Sequence, residues 1–330
     1  TERVATLAKR FAIEACADPQ LAHRAGQLSK SDLVTDMVGE FTDLQGVMGR
    51  YYALNDGEEA QVADALLEQY MPRFAGDQVP ATAVGAALAL ADKLDTLVGI
   101  FSIGQQPSGS RDPFALRRAS LGLLRIIVDR RLDVDLRAAI EASASQFKLE
   151  DETLKKTCQQ VLAYVLDRFK SWYKEQGYSA EIYLSVAPLN LGNPLDIDAR
   201  VHAVAAFSLL AEADDLAAAN KRVSNILTKQ LGGNAAEPLN ISLLVEPAEK
   251  VLAESIDSLT ALSVPLLDDR NYTTVLKHLA TLRDPIDDFF NDVMVMVDDK
   301  ALRNNRLSLL SSLRGLFINV ADISQMDSNK

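Results

Sequence analysis

Apolar residues recur every three or four positions along almost the whole chain, which is the spacing of amphipathic helices. The alternation typical of strands is scarce and short. The pattern predicts an all-α fold with helices over residues 2–17, 31–38, 57–70, 81–100, 153–173, 247–262, 272–291 and 299–320. Residues 197–229 are predicted as one or two helices. Residues 81–100 are apolar almost all round, and a helix of that kind belongs at the centre of a core.

A stretch rich in proline, asparagine and glycine, residues 188–194, is the best candidate for a linker. The chain has 330 residues, which is too many for one small core. We therefore predict two helical domains, over residues 1–190 and 195–330.

The formal net charge of −12 argues against broad non-specific binding of nucleic acid, because contacts with phosphates need clustered lysine and arginine. A local basic face is compatible with this net charge, because binding of nucleic acid depends on the electrostatic field at the contact surface and not on the charge of the whole chain. Cys16 and Cys158 fit no metal spacing and indicate reduced thiols and a cytoplasmic protein. No apolar run approaches the length of a membrane span, so no membrane partner is predicted.

The most informative stretch is FSIGQQPSGSRDPFALRRASLGLLRIIV, residues 101–128. Asp112 is predicted to accept from the first free N–H groups of a helix, and the proline after it suits the first helical position. Arg117, Arg118 and Arg125 lie between the apolar residues that follow. Two interpretations stay open: these arginines contact a phosphate backbone, or they are the solvated face of an ordinary core helix.

This stretch resembles the signature of the bacterial glycyl-tRNA synthetase β-subunit family. In that family a Gly-Ser-basic-Asp-Pro-Phe-Ala-Leu-Arg-Arg run follows an Ala-Asp-Lys-Leu-Asp helix, which is residues 91–95 here. Three further stretches match in the same order: LSKSDLVTDMVGEFTDLQGVMGRYYA from Leu28, AANKRVSNIL from Ala218 and FFNDVMVMVDDKALRNNRLSLL from Phe289. The chain is identified as a member of the family. The family's β subunit is longer at its N-terminal side, so we expect this chain to be a fragment.

The order of segments in the first half resembles HD-domain phosphohydrolases, whose metal is held by a His, a His-Asp pair and a later Asp. The resemblance puts the later Asp at Asp92 and the His-Asp pair at Ser29 and Lys30. Serine is a poor ligand for a divalent ion, and a lysine ammonium repels one. We therefore expect an HD-like domain with a degenerate site and no metal, in which a Lys30–Asp92 ion pair replaces the ion. The alternative is that Asp92 and Asp95 are ordinary helix carboxylates.

The second half resembles the DALR-type anticodon-binding helical bundle, named for an Asp-Ala-Leu-Arg motif. The matching residues here are Lys-Ala-Leu-Arg at 300–303, so the first residue departs from the motif. Arg303 and Arg306 are candidate contacts with tRNA. The alternative is that they brace the bundle through partners such as Asp287 or Asp288.

Lys221, Arg222 and Asn225 are the better candidates for tRNA contact in this half, because charge and amide groups together suit phosphates and unstacked bases. Their alternative role is that of a solvated helix face. Tyr272 and Phe290 could supply stacking surface, although aromatic residues at helical spacing are more often core.

In the first half the densest basic run contains Arg117, Arg118, Arg125, Arg130 and Arg131, and the first three are the candidate tRNA contacts. Lys93 and Arg111 could extend the same basic face. The alternative is that acidic neighbours neutralise this face, so that it does not bind RNA.

The resemblance implies a glycine–tRNA ligase built from two α and two β subunits. The α subunit would activate glycine with ATP and Mg²⁺, and the β subunit would recognise tRNA(Gly). The sequence carries no Walker loop, Rossmann fingerprint or nucleophile elbow. We therefore expect no catalytic residue, no cofactor and no DNA partner in this chain. The alternatives are an active HD-type metal-dependent phosphohydrolase and a structural scaffold that docks the α subunit.

Overall fold

The computed structural model describes residues 1–109 and 111–326, and this part of the chain is 72 % helical with essentially no strands, as the all-α prediction requires. The helices of the first 175 residues are α1 (Glu2–Glu14), α2 (Pro19–Leu28), α3 (Asp36–Glu40), α4 (Val47–Asn55), α5 (Ala60–Glu68), α6 (Ala83–Ser102), α7 (Leu116–Asp129), α8 (Leu136–Ala144), α9 (Asp151–Leu166) and α10 (Arg168–Glu175). They are followed by α11 (Ala180–Val186), α12 (Pro194–Phe207), α13 (Ala213–Leu231), α14 (Pro247–Asp268), α15 (Tyr272–Leu279), α16 (Arg283–Asp292) and α17 (Lys300–Ile318). Within the described residues, no helix is both long enough and apolar enough to cross a membrane.

The chain forms two compact units. The first contains residues 1–172 and 192–195, and the second contains residues 173–191 and the chain from residue 196 onward. Residues 173–191, which the sequence assigned to the first domain, pack with the second unit. The Tyr173 hydroxyl donates to Asp198 Oδ1 at 2.8 Å, and Asp322 N donates to the Ser185 carbonyl at 2.7 Å. These two bonds join residues 173–191 to the second unit.

Helix α6 is the central helix of the first unit and packs against α1, α2, α5, α7, α8 and α9. It is buried on all sides from Val84 to Ala91, as its uniformly apolar sequence predicts. Its start is held by the Glu68 carboxylate, which accepts from Ala81 N at 3.0 Å and Thr82 N at 3.1 Å. These bonds satisfy backbone donors that have no partner within the helix.

Helices α1 and α2 approach each other closely because Gly26 lies directly against Ala5. A Cβ atom at position 26 would lie 2.3 Å from Ala5 Cα. Real Cβ atoms do not come that close to backbone, so only glycine fits here.

In the second unit, α17 packs against α13, α14 and α15, and α14 also packs against α16. Helix α17 begins where the sequence predicts, because the Asp299 carboxylate accepts from Ala301 N at 2.8 Å and Leu302 N at 3.1 Å.

Three of the predicted helices are interrupted, and one of them, over residues 272–291, divides into α15 and α16. Residues 197–229, predicted as one or two helices, form two, α12 and α13. Residues 31–38 form a 3-10 turn, Ser31–Val34, followed by the start of α3, because Thr35 is extended and its hydroxyl caps the new helix at Val38 N. Residues 153–173 divide at Asp167 into α9 and α10. Periodicity predicted the helical residues, and side-chain capping set the interruption at Thr35.

Candidate functional site

Lys30 and Asp92 form the ion pair that the sequence hypothesis requires. Lys30 Nζ lies 2.8 Å from Asp92 Oδ1 and 3.3 Å from Gln69 Oε1, and it sits 4.9 Å from the centre of the Tyr70 ring. Burial lowers the pKa of Lys30, but Asp92, Tyr70 and Asp32 together outweigh burial and leave the pKa above its ordinary value. Lys30 therefore carries a full positive charge beside the Asp92 carboxylate at neutral pH.

Ser29, the other residue of the predicted degenerate site, is buried and its hydroxyl donates to the Gly26 carbonyl at 2.8 Å. Asp95 is paired with a different cation, since Arg3 Nε lies 2.7 Å from its Oδ1. Among the described residues, no group of three or more His, Cys, Asp or Glu side chains is arranged to hold a metal. The replacement of an ancestral metal by Lys30 stays a prediction.

Lys93 is buried, so the prediction that it extends an exposed basic face is wrong. Its side chain is 7 % exposed, and Nζ donates to the Met71 carbonyl at 2.7 Å and the Gln69 carbonyl at 3.1 Å. Burial lowers the pKa of Lys93 to about 8. Gly122 makes room for this lysine, because a Cβ at position 122 would lie 2.9 Å from Lys93 Cε.

The stability of the first unit is expected to rise with pH between about 8 and 10.5 on account of Lys93. The folded pKa of about 8 lies below the ordinary value of 10.5, so within this window the unfolded chain binds a proton that the folded chain does not. The contribution is up to roughly 1.4 kcal/mol per pH unit. Urea unfolding of the wild type and of Lys93→Met at pH 7.5, 9 and 10.5 measures it. Parallel pH profiles for the two proteins would contradict the assignment.

Helix α7 begins three residues later than the sequence predicts. Ala115 has a left-handed backbone with φ 53°, which separates the Asp112–Pro113 turn from the helix that starts at Leu116. The Asp112 carboxylate still reaches the helix and accepts from Leu116 N at 2.8 Å and Arg117 N at 2.9 Å. Asp112 therefore caps α7, as predicted, and fixes the backbone at the arginine pair.

The structure separates the three arginines predicted on this segment. Arg117 and Arg118 line one cleft, and the Arg117 guanidinium donates to the Gly109 carbonyl. Arg125 lies two turns further along α7, where it pairs with Asp129 at 3.4 Å. Only the first two arginines are brought together.

The sequence candidates on α13 are accessible. Arg222 and Asn225 are exposed and Lys221 is half-buried, while Leu216, Asn220 and Val223 cover the buried side of the helix. The Arg222 guanidinium lies 4.0 Å from the centre of the Phe290 ring. Phe290 therefore supports an arginine, and the planar cation is held in place by this stacking.

Tyr272 does not supply the stacking surface that the sequence suggested. It is 4 % exposed, and its hydroxyl donates to Asp196 and accepts from Arg200 at 2.9 Å. Arg200 also donates to the carbonyls of Asn319 and Val320, at 2.6 and 2.9 Å. This buried polar network ties α12 to α15 and to the end of α17.

Arg306 is buried, which leaves its side chain little surface for the predicted contact with tRNA. It is 5 % exposed, its Nε donates to Glu249 Oε1 at 2.5 Å and its guanidinium also donates to the Met294 carbonyl at 2.8 Å. The alternative of a bracing role holds, with Glu249 as the partner in place of Asp287 or Asp288. Arg303 is half-buried and donates to the Val297 carbonyl at 3.2 Å.

The sequence did not single out Arg73, Phe74 and Arg168, which line the same cleft as Arg117 and Arg118. These residues come from three separate parts of the chain. Nothing in their local sequence indicates that they meet, because the meeting depends on how α7 and α10 pack.

Two family models match separate parts of the chain. The family model described as glycyl-tRNA synthetase beta subunit matches residues 1–188, and the model described as DALR anticodon binding domain matches residues 216–323. The glycine–tRNA ligase beta subunit of Marinobacter nauticus is 55 % identical over 322 residues. Those of Haemophilus influenzae strain Rd and Vibrio vulnificus strain YJ016 are each 52 % identical, over 326 and 328 residues. These alignments cover 98 % of this chain and 46 or 47 % of each relative, so the chain spans about half the length of these curated relatives.

Proposed function

Because this chain belongs to the glycyl-tRNA synthetase β-subunit family, we propose that it is a tRNA-recognition portion of a glycine–tRNA ligase. It holds tRNA(Gly) while glycine, activated with ATP and Mg²⁺ on the α subunit, is transferred to the terminal adenosine. The enzyme is assembled from two α and two β subunits and works in the cytoplasm. The observation that carries the proposal is the anticodon-binding domain over residues 216–323.

The exposed face of α13 is the part of that domain best suited to meet RNA. Lys221 and Arg222 supply positive charge, and Asn225, one turn on, supplies an amide that both donates and accepts. Phe290 holds the Arg222 guanidinium flat, which limits the freedom that this side chain loses on binding. Such a face suits phosphates and splayed bases of a loop.

The contribution of this chain to catalysis is positional. Fixing a large substrate at several points converts an encounter between enzyme and tRNA into a reaction within one complex. The alternative of an active phosphohydrolase gains no support, because Lys30 places a fixed positive charge beside Asp92, where a divalent ion would have to bind.

The chain is expected to bind tRNA(Gly) at moderate salt, and Lys221→Gln/Arg222→Gln is expected to bind it at least 10-fold more weakly. The slope of log affinity against log salt should fall by about 1.4, or roughly 0.7 for each single-strand phosphate that the variant no longer neutralises. Fluorescence anisotropy with labelled tRNA measures both quantities. The matched control is Lys250→Gln/Lys277→Gln, which removes two exposed charges from the same unit. Equal binding by the two double variants would count against the α13 face.

A glycylation assay tests whether this chain only binds tRNA while the α subunit carries out catalysis. The chain alone is expected to form no glycyl-tRNA, and an excess of it added to the complete enzyme is expected to inhibit glycylation by competing for tRNA. Turnover by the chain alone would overturn the proposal.

A further inference from the structure

A cleft of about 630 Å³ opens on the first unit and is lined by four arginines. Arg73 comes from the connection between α5 and α6, Arg117 and Arg118 from the first turn of α7, and Arg168 from the start of α10. Phe74 lies among them and is 64 % exposed. We call these five residues the arginine cleft.

The arginine cleft is strongly positive in a chain whose formal net charge is −12. Among its described lining residues there is no aspartate or glutamate. Two nearby carboxylates accept hydrogen bonds from backbone N–H groups. Asp77 accepts from Arg73 N at 2.7 Å, and Asp112 accepts from Leu116 N and Arg117 N. Asp167 pairs with Arg168, while Arg73 and Arg118 make no ion pair with any residue that the structure describes.

Two of the cleft arginines lie where the helix itself disfavours positive charge. Arg117 and Arg118 lie in the first turn of α7, at the positive end of the helix dipole, where cations are unfavourable. Arg118 is exposed and makes no ion pair with any part of the chain that the structure describes. An anion in the cleft would turn this repulsion into attraction.

The shape and composition of the cleft point to a polymer of phosphates. A guanidinium group binds a phosphate through two parallel N–H···O hydrogen bonds. In the cleft the guanidinium groups come from three segments of the chain and surround a space much larger than one phosphate. An exposed aromatic ring among arginines is the arrangement on which unpaired bases stack. Duplex RNA offers no free base face to such a ring.

We propose that the arginine cleft binds the sugar–phosphate backbone of a single-stranded RNA segment, with Phe74 stacked on one of its bases. The inference rests on the proposed function, since tRNA is then the RNA that this chain meets. It gives the first unit a contact with tRNA that is separate from the anticodon-binding domain.

The test is the binding of labelled tRNA(Gly) to variants of the whole chain across a salt series. Arg73→Gln/Arg118→Gln removes two side chains that make no ion pair with described residues, so the fold should be unaffected. This variant is expected to bind at least 10-fold more weakly, with a salt slope smaller by about 1.4. Phe74→Ala is expected to bind about 10-fold more weakly with an unchanged salt slope, because stacking releases no counterions.

The matched control is Lys9→Gln/Lys156→Gln, which removes two exposed charges from α1 and α9 of the same unit. Neither residue lines the arginine cleft. Circular dichroism melts should coincide for all four proteins.

The outcomes separate this inference from the proposed function. If the wild type binds tRNA and the cleft variant binds like the control, the arginine cleft is not an RNA site and the proposed function stands. If the wild type does not bind tRNA, both the RNA site in the cleft and the proposed function are wrong. If only Phe74→Ala is without effect, the cleft binds phosphates of paired RNA and the single-strand assignment is overturned.

Discussion

Replacing Arg306 with methionine is expected to lower the free energy of unfolding of the second unit by about 3–5 kcal/mol. Arg306 and Glu249 are both buried and paired at 2.5 Å, so the substitution leaves a carboxylate inside the protein without its cation. It also removes a donor from the Met294 carbonyl. Urea unfolding followed by circular dichroism measures the loss.

Arg303→Met on the same helix is the control, since Arg303 is half-buried and its one described bond is to the Val297 carbonyl at 3.2 Å. It should cost about 1 kcal/mol or less. Adding Glu249→Gln to Arg306→Met should recover part of the loss. The amide removes the stranded charge, and its oxygen can still accept from Val245 N and Glu246 N, as Glu249 does at 2.7 and 2.8 Å. Equal losses for Arg306→Met and Arg303→Met would show that the buried pair does not stabilise the bundle.

Replacing Gly26 with alanine is expected to destabilise the first unit by about 3 kcal/mol, the upper end of the usual range for overpacking. The new Cβ would meet Ala5 Cα at 2.3 Å and Ala5 N at 2.8 Å. These are backbone atoms, so no rotamer change relieves the contact and α1 must move away from α2. The single tryptophan, Trp172, lies in the first unit and reports its unfolding by fluorescence in urea.

Gly39→Ala in α3 is the control for this experiment. A Cβ at position 39 would meet nothing within 4 Å. Alanine there should be neutral or stabilise by up to about 1 kcal/mol, because it restricts the unfolded chain. If Gly26→Ala unfolded at the same urea concentration as Gly39→Ala, the close approach of α1 and α2 would not limit stability.

The helices could be predicted from the sequence because their determinants are local. Apolar spacing placed α6 and α17, and the structure confirms the predicted start of α17, where the Asp299 carboxylate caps the helix. The start of α7 escaped prediction because it depends on the left-handed backbone of Ala115, a conformation that alanine rarely adopts and that its sequence does not signal.

The partners of charged residues were harder to predict, because they depend on packing between distant segments. Glu249 lies 57 residues before Arg306, whereas the partners predicted from the sequence were the nearer Asp287 and Asp288. Lys93 occurs in a polar-looking motif, yet its side chain is directed inward to two carbonyls. The Lys30–Asp92 pair was anticipated only because a family resemblance placed both residues at one ancestral site.

Lys93 and Gly122 are coupled through the space between them. A Cβ at position 122 would lie 2.9 Å from Lys93 Cε, and Pro72 adjoins the same space at 3.4 Å. Because Cε is near the end of a flexible side chain, alanine at position 122 would displace the ammonium group and leave the backbone in place. The carbonyls of Gln69 and Met71 would then lose their charged donor, so a glycine on one helix controls hydrogen bonds that a lysine 29 positions earlier makes.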